Sequence, residues 1–142
     1  MTERVVTMTT EQWSEYAEAA HKLCFSEARP REFDRSTFAL MYVRDEIPYC
    51  YVSCHEMDKE TVYLQFGGIF RAEQKMPYSF HGYQKMIEAL STRYLKATTS
   101  IENTNVAMLK PAMRIGFRIV GIRVFKEIVL LEHILNFGGF SA

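Results

Sequence analysis

Apolar residues recur along this chain in two rhythms, and the places where one gives way to the other mark out the elements. Residues 4–8 alternate as a short strand. Thr9 followed by Gln12 has the spacing of a capping box, in which each side chain satisfies a backbone N–H at a helix start. Trp13, Tyr16, Ala17, Ala20, Leu23 and Cys24 then fall at helical spacing, which predicts an amphipathic helix over 10–24. Residues 25–35 are polar, contain Pro30 and read as a loop. Residues 37–44 are rich in Thr, Phe, Tyr and Val and favour strand. Asp45-Glu46 makes a tight connection to a second strand, 47–56, and residues 57–60 turn into a third, 61–70. On that third strand Val62, Leu64 and Phe66 share one face, and Tyr63 and Gln65 share the other.

After a charged loop at 71–77, Ser79 can cap a helix whose buried face is Phe80, Tyr83, Met86, Ile87, Leu90 and Tyr94. Residues 95–101 follow as a strand. A helix over 105–115 has Asn105 to cap its start and Gly116 to end it. Pro111 inside it is tolerable if the regular helix begins near 106–108, and otherwise kinks it. Strands at 117–125 and 127–135 complete the pattern, and the tail 136–142 reads as a loose edge or an interface, which leaves a homodimer open. No repeat or linker divides residues 1–142, so one domain is expected. Strand 61–70, helix 79–95 and strand 95–101 form a βαβ unit, which predicts that these two strands are parallel neighbours. Gly67-Gly68 interrupts the first of them, as glycines do at a bulge or where another group approaches the backbone closely.

Composition changes this picture little. The hydrophobic and charged fractions, 48% and 24%, are those of an ordinary globule, and no apolar run approaches the ~20 residues that span a bilayer. The polar N-terminus lacks the apolar stretch of a signal peptide, so a cytoplasmic protein without a membrane partner is expected. Net charge is zero, and no nucleic-acid partner is expected. The charge is split, however. Residues 1–60 carry 7 Lys and Arg against 12 Asp and Glu, and residues 61–142 carry 10 against 5. A basic second half suits a phosphorylated ligand, and a chance split gives the same figures. Cys50 and Cys54 point to the same face as Val52, so the spacing with Cys24, His21 and His55 is read as core packing, with no metal.

The segment from Asn105 to Gly116-Phe117 resembles the last helix of the GNAT N-acetyltransferases, whose pattern is Asn-x-x-Ala-x-x-x-Tyr-x-Lys-x-Gly-Phe. Asn105, Gly116 and Phe117 match; Arg114 stands for the Lys, Met108 for the Ala and Ala112 for the Tyr. The order of elements is similar to the whole of that fold: a single-domain α/β protein with a mixed central sheet and flanking helices. The resemblance implies acetyl transfer from acetyl-CoA, or another acyl-CoA, to an amine acceptor. It implies that the backbone of Gly68, Ile69 and Phe70 meets the pantetheine arm and that Asn105 lies beside the cofactor. Where the family places a small-residue phosphate cradle at a helix start, this chain has Pro77-Tyr-Ser-Phe-His-Gly82. Gly82 matches the second small residue, Phe80 occupies the place of the first, His81 lies between them and Pro77 replaces Arg or Gln. A larger residue at 82 is expected to crowd a diphosphate without greatly altering the fold.

Arg71, Lys75, Lys85, Lys110 and Arg114 are the cations near that cradle, each with solvated charge as its alternative role. Candidate groups for the chemistry are Glu102, at the end of the parallel strand, and Gln65 and Tyr63 on one strand face, with His55 and His133 as further proton carriers. Ala112 removes the tyrosine that in the family protonates the thiolate. The alternative function is a non-catalytic GNAT-fold protein serving in binding or assembly, of the kind met in tailed phages.

Overall fold

The computed structural model describes residues 2–25, 37–70 and 79–140. The loop expected at 25–35 and the charged loop at 71–77 therefore lie almost wholly outside the described residues. Four strands run antiparallel: β1 (Glu3–Met8), β2 (Thr37–Arg44), β3 (Ile47–Glu56) and β4 (Thr61–Ile69). β5 (Lys96–Glu102) lies parallel to β4, and β6 (Arg118–Phe125) and β7 (Ile128–Asn136) follow. One mixed sheet results, in the order β1-β2-β3-β4-β5-β7-β6.

The tight connections follow from local chemistry. Asp45 and Glu46 have φ of 49° and 66°, the two positive values of a primed two-residue hairpin turn. The Asp45 N–H donates to the Thr2 carbonyl and the Thr2 N–H to the Asp45 carboxylate, both at 2.8 Å, which pins the start of β1 to that turn. At the next turn the Asp58 carboxylate accepts the N–H groups of Glu60 and Thr61.

Helix α1 (Thr10–Phe25) opens on the expected capping box: the Thr9 N–H donates to Gln12 Oε1 at 3.0 Å and the Gln12 N–H to Thr9 Oγ1 at 3.2 Å. Trp13, Ala17 and Ala20 bury against Ala39, Met41, Val43, Tyr51 and Phe70 on one face of the sheet. Leu23, expected on that stripe, is exposed, because the buried line runs through Ala20 to Cys24 and leaves Leu23 at its margin.

The opposite face carries α2 (Ser79–Ser91) and α3 (Val106–Ile115) over the larger core, which contains Tyr42, Cys50, Val52, Cys54, Val62, Leu64, Met86, Ile87 and Leu90. Cys50 and Cys54 pack there with Val52, as the alternation predicts. The start of α3 differs from expectation. The Asn105 side chain makes no capping bond, and its carbonyl accepts the Met108 and Leu109 N–H groups instead. Gly116 ends the helix with φ of 120°, and its N–H and that of Phe117 both reach the Ala112 carbonyl. The helix runs on through Pro111. The tail is not loose where it is described. Phe137 is buried, its N–H donates to the Leu95 carbonyl at 2.8 Å, and a 3-10 turn spans Phe137–Phe140. The outermost strand, β6, shifts register between Ile119 and Gly121 and exposes Val120, Ile122, Val124 and Phe125.

β1, β2 and α2 meet at a polar cluster. The Tyr42 hydroxyl donates to Glu3 at 2.6 Å and accepts from Arg44 at 3.1 Å, while His81 Nε2 lies 2.9 Å from the same Glu3 oxygen. The hydrogen bonds from Tyr42 and then His81 hold the Glu3 carboxyl below its ordinary value. A carboxylate so depressed adds stability above its unfolded value, about pH 4.3, and that stability disappears as pH falls through the lowered folded value. Glu3→Gln is therefore expected to lower stability at neutral pH and to flatten the loss on the acid side in urea melts. Beside this cluster, a Cβ built on Gly82 would lie 2.6 Å from the Tyr42 ring and 2.8 Å from Cys50 Sγ. The space beside Gly82 is thus filled by the core, contrary to the expectation that a larger residue would leave the fold largely unaltered. Gly82→Ala is expected to destabilise by about 1–3 kcal/mol through overpacking, read as a lower urea midpoint.

Candidate functional site

The parallel ladder between β4 and β5 is short. Residues Thr61 to Leu64 pair with Lys96 to Thr99, the Thr99 hydroxyl donates to the Leu64 carbonyl at 2.9 Å, and the pairing ends there. At the same point β4 gains a residue relative to β3. Leu64 faces Cys54 and Phe66 faces Ser53, so Gln65 is the extra one. The bulge and the parting therefore begin at Gln65, two residues before the glycine pair where the sequence placed them. Gln65 Oε1 accepts a bond from the Thr37 hydroxyl at 3.3 Å, which holds the bulged side chain. Gly68 answers to close approach. A Cβ there would lie 2.7 Å from Cys24 Sγ and 2.8 Å from Tyr51 Cε1.

A cleft of about 710 Å³ opens at this parting. Gly67, Gly68 and Ile69 of β4 form one wall, Ser79, Phe80, Tyr83 and Met86 of α2 another, and Asn105, Met108, Lys110, Pro111 and Arg114 of α3 a third. The first turn of α2 brings N–H groups without an intrahelical partner, and the positive end of the helix dipole, to this space. α3 adds two cations, and the Arg114 guanidinium lies 4.2 Å over the Phe80 ring, joining the two helices. The remainder of the wall is mostly apolar: Ile69, Tyr83, Met86 and Met108. Backbone without side chains, a helix N-terminus and basic groups together fit a long, flexible ligand with an anionic end.

Of the residues singled out in the sequence, Gly68, Ile69, Phe80 and Asn105 converge on this cleft. Phe70 turns to the α1 side, where it is buried against Tyr51, and its N–H is taken by the Tyr49 carbonyl. His81 sits on Glu3, and the Cβ side of Gly82 meets Tyr42 and Cys50, so neither forms part of the cleft wall. Tyr63, Gln65 and Glu102 also stand outside the wall. Tyr63 pairs across to His55 and Thr98, and Glu102 is exposed, with its carbonyl accepting the Asn105 N–H at 3.0 Å. His133 is buried beside Phe117, with Nδ1 2.7 Å from the Leu131 carbonyl. Among the cations, Lys110 and Arg114 line the cleft, Lys85 pairs with Glu88 at 3.7 Å, and Arg71 and Lys75 fall outside the described residues. Ala112 is fully buried in the core and does not look into the cleft.

Cys24, Tyr51 and Tyr83 also form the wall, and the sequence reading did not connect them with it. Burial pushes the Cys24 thiol up to about 11 and Cys50 up to about 12, so both stay protonated at neutral pH and serve as wall rather than nucleophile. The signal for Tyr51 lay in Gly68, since a glycine within a strand advertises a bulky neighbour; the β3–β4 register that pairs the two was not readable from either residue alone.

No family model matches this sequence, and no curated protein matches it. Solved structures do share its architecture. The ribosomal-protein-S18-alanine N-acetyltransferase from Escherichia coli superposes with a TM-score of 0.73 at 11% identity, over 96% of this chain and 94% of that one. A spermidine N-acetyltransferase chimera from Vibrio cholerae and hSSAT gives 0.75 at 10% identity, over 100% of both chains. A GNAT family acetyltransferase from Elizabethkingia anophelis with acetyl-CoA bound gives 0.72 at 13%, over 94% and 97%. The chain thus has the GNAT fold.

Ala112 is buried in the core and off the cleft wall, so a tyrosine put back there would overpack the core rather than reach the cleft. Ala112→Tyr is expected to destabilise by at least about 1–3 kcal/mol and to gain no activity. A lowered thermal midpoint checks the first part, and an unchanged or lower acyl-transfer rate the second.

Proposed function

We propose that this chain is an acyl-CoA-dependent N-acyltransferase, carrying acetyl from acetyl-CoA, or another acyl group from its CoA thioester, to an amine. The observation that carries the reading is the parting of β4 and β5 after Leu64 and Thr99, with a cleft lined by β4 beyond that point and by α2 and α3. In this reading the backbone at Gly68 and Ile69, with the carbonyl of Phe70, holds the pantetheine arm, and Asn105 flanks it. The start of α2, at Ser79 and Phe80, faces the pyrophosphate with Lys110 and Arg114 beside it, and His81 and Gly82 stand behind that wall. The acceptor nitrogen attacks the thioester carbonyl, a C–N bond forms, the C–S bond breaks, and the proton lost by nitrogen balances the one gained by sulfur. Glu102 would take the amine proton through water, with Tyr63 and Gln65 on the strand face beside the parting. Because these three stand outside the cleft wall, orientation of a neutral amine supplies most of the rate.

A second reading keeps the scaffold without the reaction, as a binding or assembly protein. It is favoured by one observation: among the described residues the cleft wall holds no carboxylate and no imidazole.

Calorimetry with acetyl-CoA separates the two. Saturable heat is expected, with a thermal midpoint that rises with ligand; at a hundredfold excess over Kd the gain is about 2.7 kcal/mol. No heat and no shift at millimolar ligand would favour the binding or assembly role.

A further inference from the structure

Tyr51 is only 1% exposed, and its hydroxyl finds no hydrogen-bond partner among the described residues. A buried, unpaired phenol is costly, and proteins rarely keep one where phenylalanine would pack as well. The ring sits between Trp13, at 5.1 Å, and Phe70, at 6.0 Å, so packing alone would be served without the oxygen. Its position is built. Tyr51 is the cross-strand partner of Gly68, and the absence of a side chain at Gly68 lets the Cε1 edge of the ring lie over β4. That brings the tyrosine from β3 to the cleft wall, beside Cys24. Tyr83 is the other orphaned phenol in the wall, but it packs within the larger core; Tyr51 stands opposite Gly68, at the glycine that opens the wall.

We propose that the Tyr51 hydroxyl is the hydrogen-bond donor for the carbonyl oxygen of an acyl thioester held in this cleft, an assignment that rests on the acyl-CoA reading above. Three observations select this partner. A phosphate has its natural place at Arg114 and the start of α2, where a guanidinium and a helix N-terminus offer positive charge, and not beside a single neutral phenol. The cleft wall to which Tyr51 belongs includes Ile69, Met86 and Met108, which suit a neutral acyl group. Burial also keeps the phenol protonated, so at neutral pH it has a proton to give. A group on β3 would then touch the reacting end of the ligand, whereas Asn105, Gly116 and Phe117, which carry the family resemblance, flank α3.

Tyr51→Phe tests this directly, since it removes one oxygen and no packing. The unliganded variant is expected to melt at the same temperature as wild type or higher, because an unpaired buried group is gone. Its affinity for acetyl-CoA, measured by calorimetry, is expected to fall about tenfold, the worth of one well-made hydrogen bond. Its affinity for free coenzyme A, which has no thioester carbonyl, is expected to stay within about twofold, well below the tenfold change that 1.4 kcal/mol represents. An unchanged affinity for acetyl-CoA would overturn the proposal. So would equal losses for acetyl-CoA and coenzyme A, or a lowered melting temperature, either of which marks a structural role. Failure of wild type to bind acetyl-CoA at all would instead remove the acyl-CoA reading and this inference with it.

Discussion

The whole arrangement depends on a parallel ladder that stops early. β4 and β5 bond from Thr61 to Leu64 and no further, although β4 continues to Ile69 and β5 to Glu102. β5 keeps its other edge paired with β7 as far as Glu102, so it has a neighbour beyond the parting. β4 is likewise still paired with β3 up to Ile69. Past Leu64 each strand is therefore held by its outer neighbour, so the gap between them costs neither strand its pairing on the other side. Buried backbone groups are rarely left unpaired, and past Leu64 no strand among the described residues pairs with β4 on its β5 side.

What sets that stopping point is a single inserted residue. Gln65 shifts β4 against β3, and a bulge increases local twist, which turns the end of β4 away from β5. Thr37 steadies the bulge from β2, and Thr99 seals the last pair from β5. The side chains around the parting then fall into two groups. Those on the α1 face, Tyr51 and Cys24, reach the gap across Gly68; those on the other face come from α2 and α3. Gly68 and Gly82 thus have a common role at different places: each lets a large side chain from a neighbouring strand lie where a Cβ would otherwise stand.

Much of the fold was legible in the sequence because it depends on local rules. The capping box at Thr9 and Gln12, the glycine stop at Gly116 and the alternation of Val62 and Leu64 are all decided within a few residues. The parallel pair followed from the βαβ order, which leaves few other topologies. What the sequence concealed was set at a distance. The bulge at Gln65 rather than at the glycines depends on how β3 and β4 slide together, and no residue at the bulge announces it. Asn105 looked like a cap by type, yet its carbonyl does the work and its side chain does not. Ala112 was placed by motif alignment, while its direction depends on how α3 is rotated over the core. The tail read as a loose edge or an interface, and Phe137 anchors it through one backbone bond and one buried ring.

The outer strand β6 bears on the behaviour of this protein in concentrated solution. Its apolar residues Val120, Ile122, Val124 and Phe125 face solvent on an open sheet edge, which is a template for uncontrolled strand addition. Two features oppose it. The register shift at Val120 spoils the even spacing that an incoming strand would need, and the strand is bracketed by cations. An antiparallel copy centred on Ile122 would set Arg118 of one molecule against Lys126 of the other. Salt weakens that repulsion over a Debye length of about 10 Å at 0.1 M and far less at higher strength. Like charges at the two ends of β6 thus oppose this mode of association, and their effect weakens as ionic strength rises.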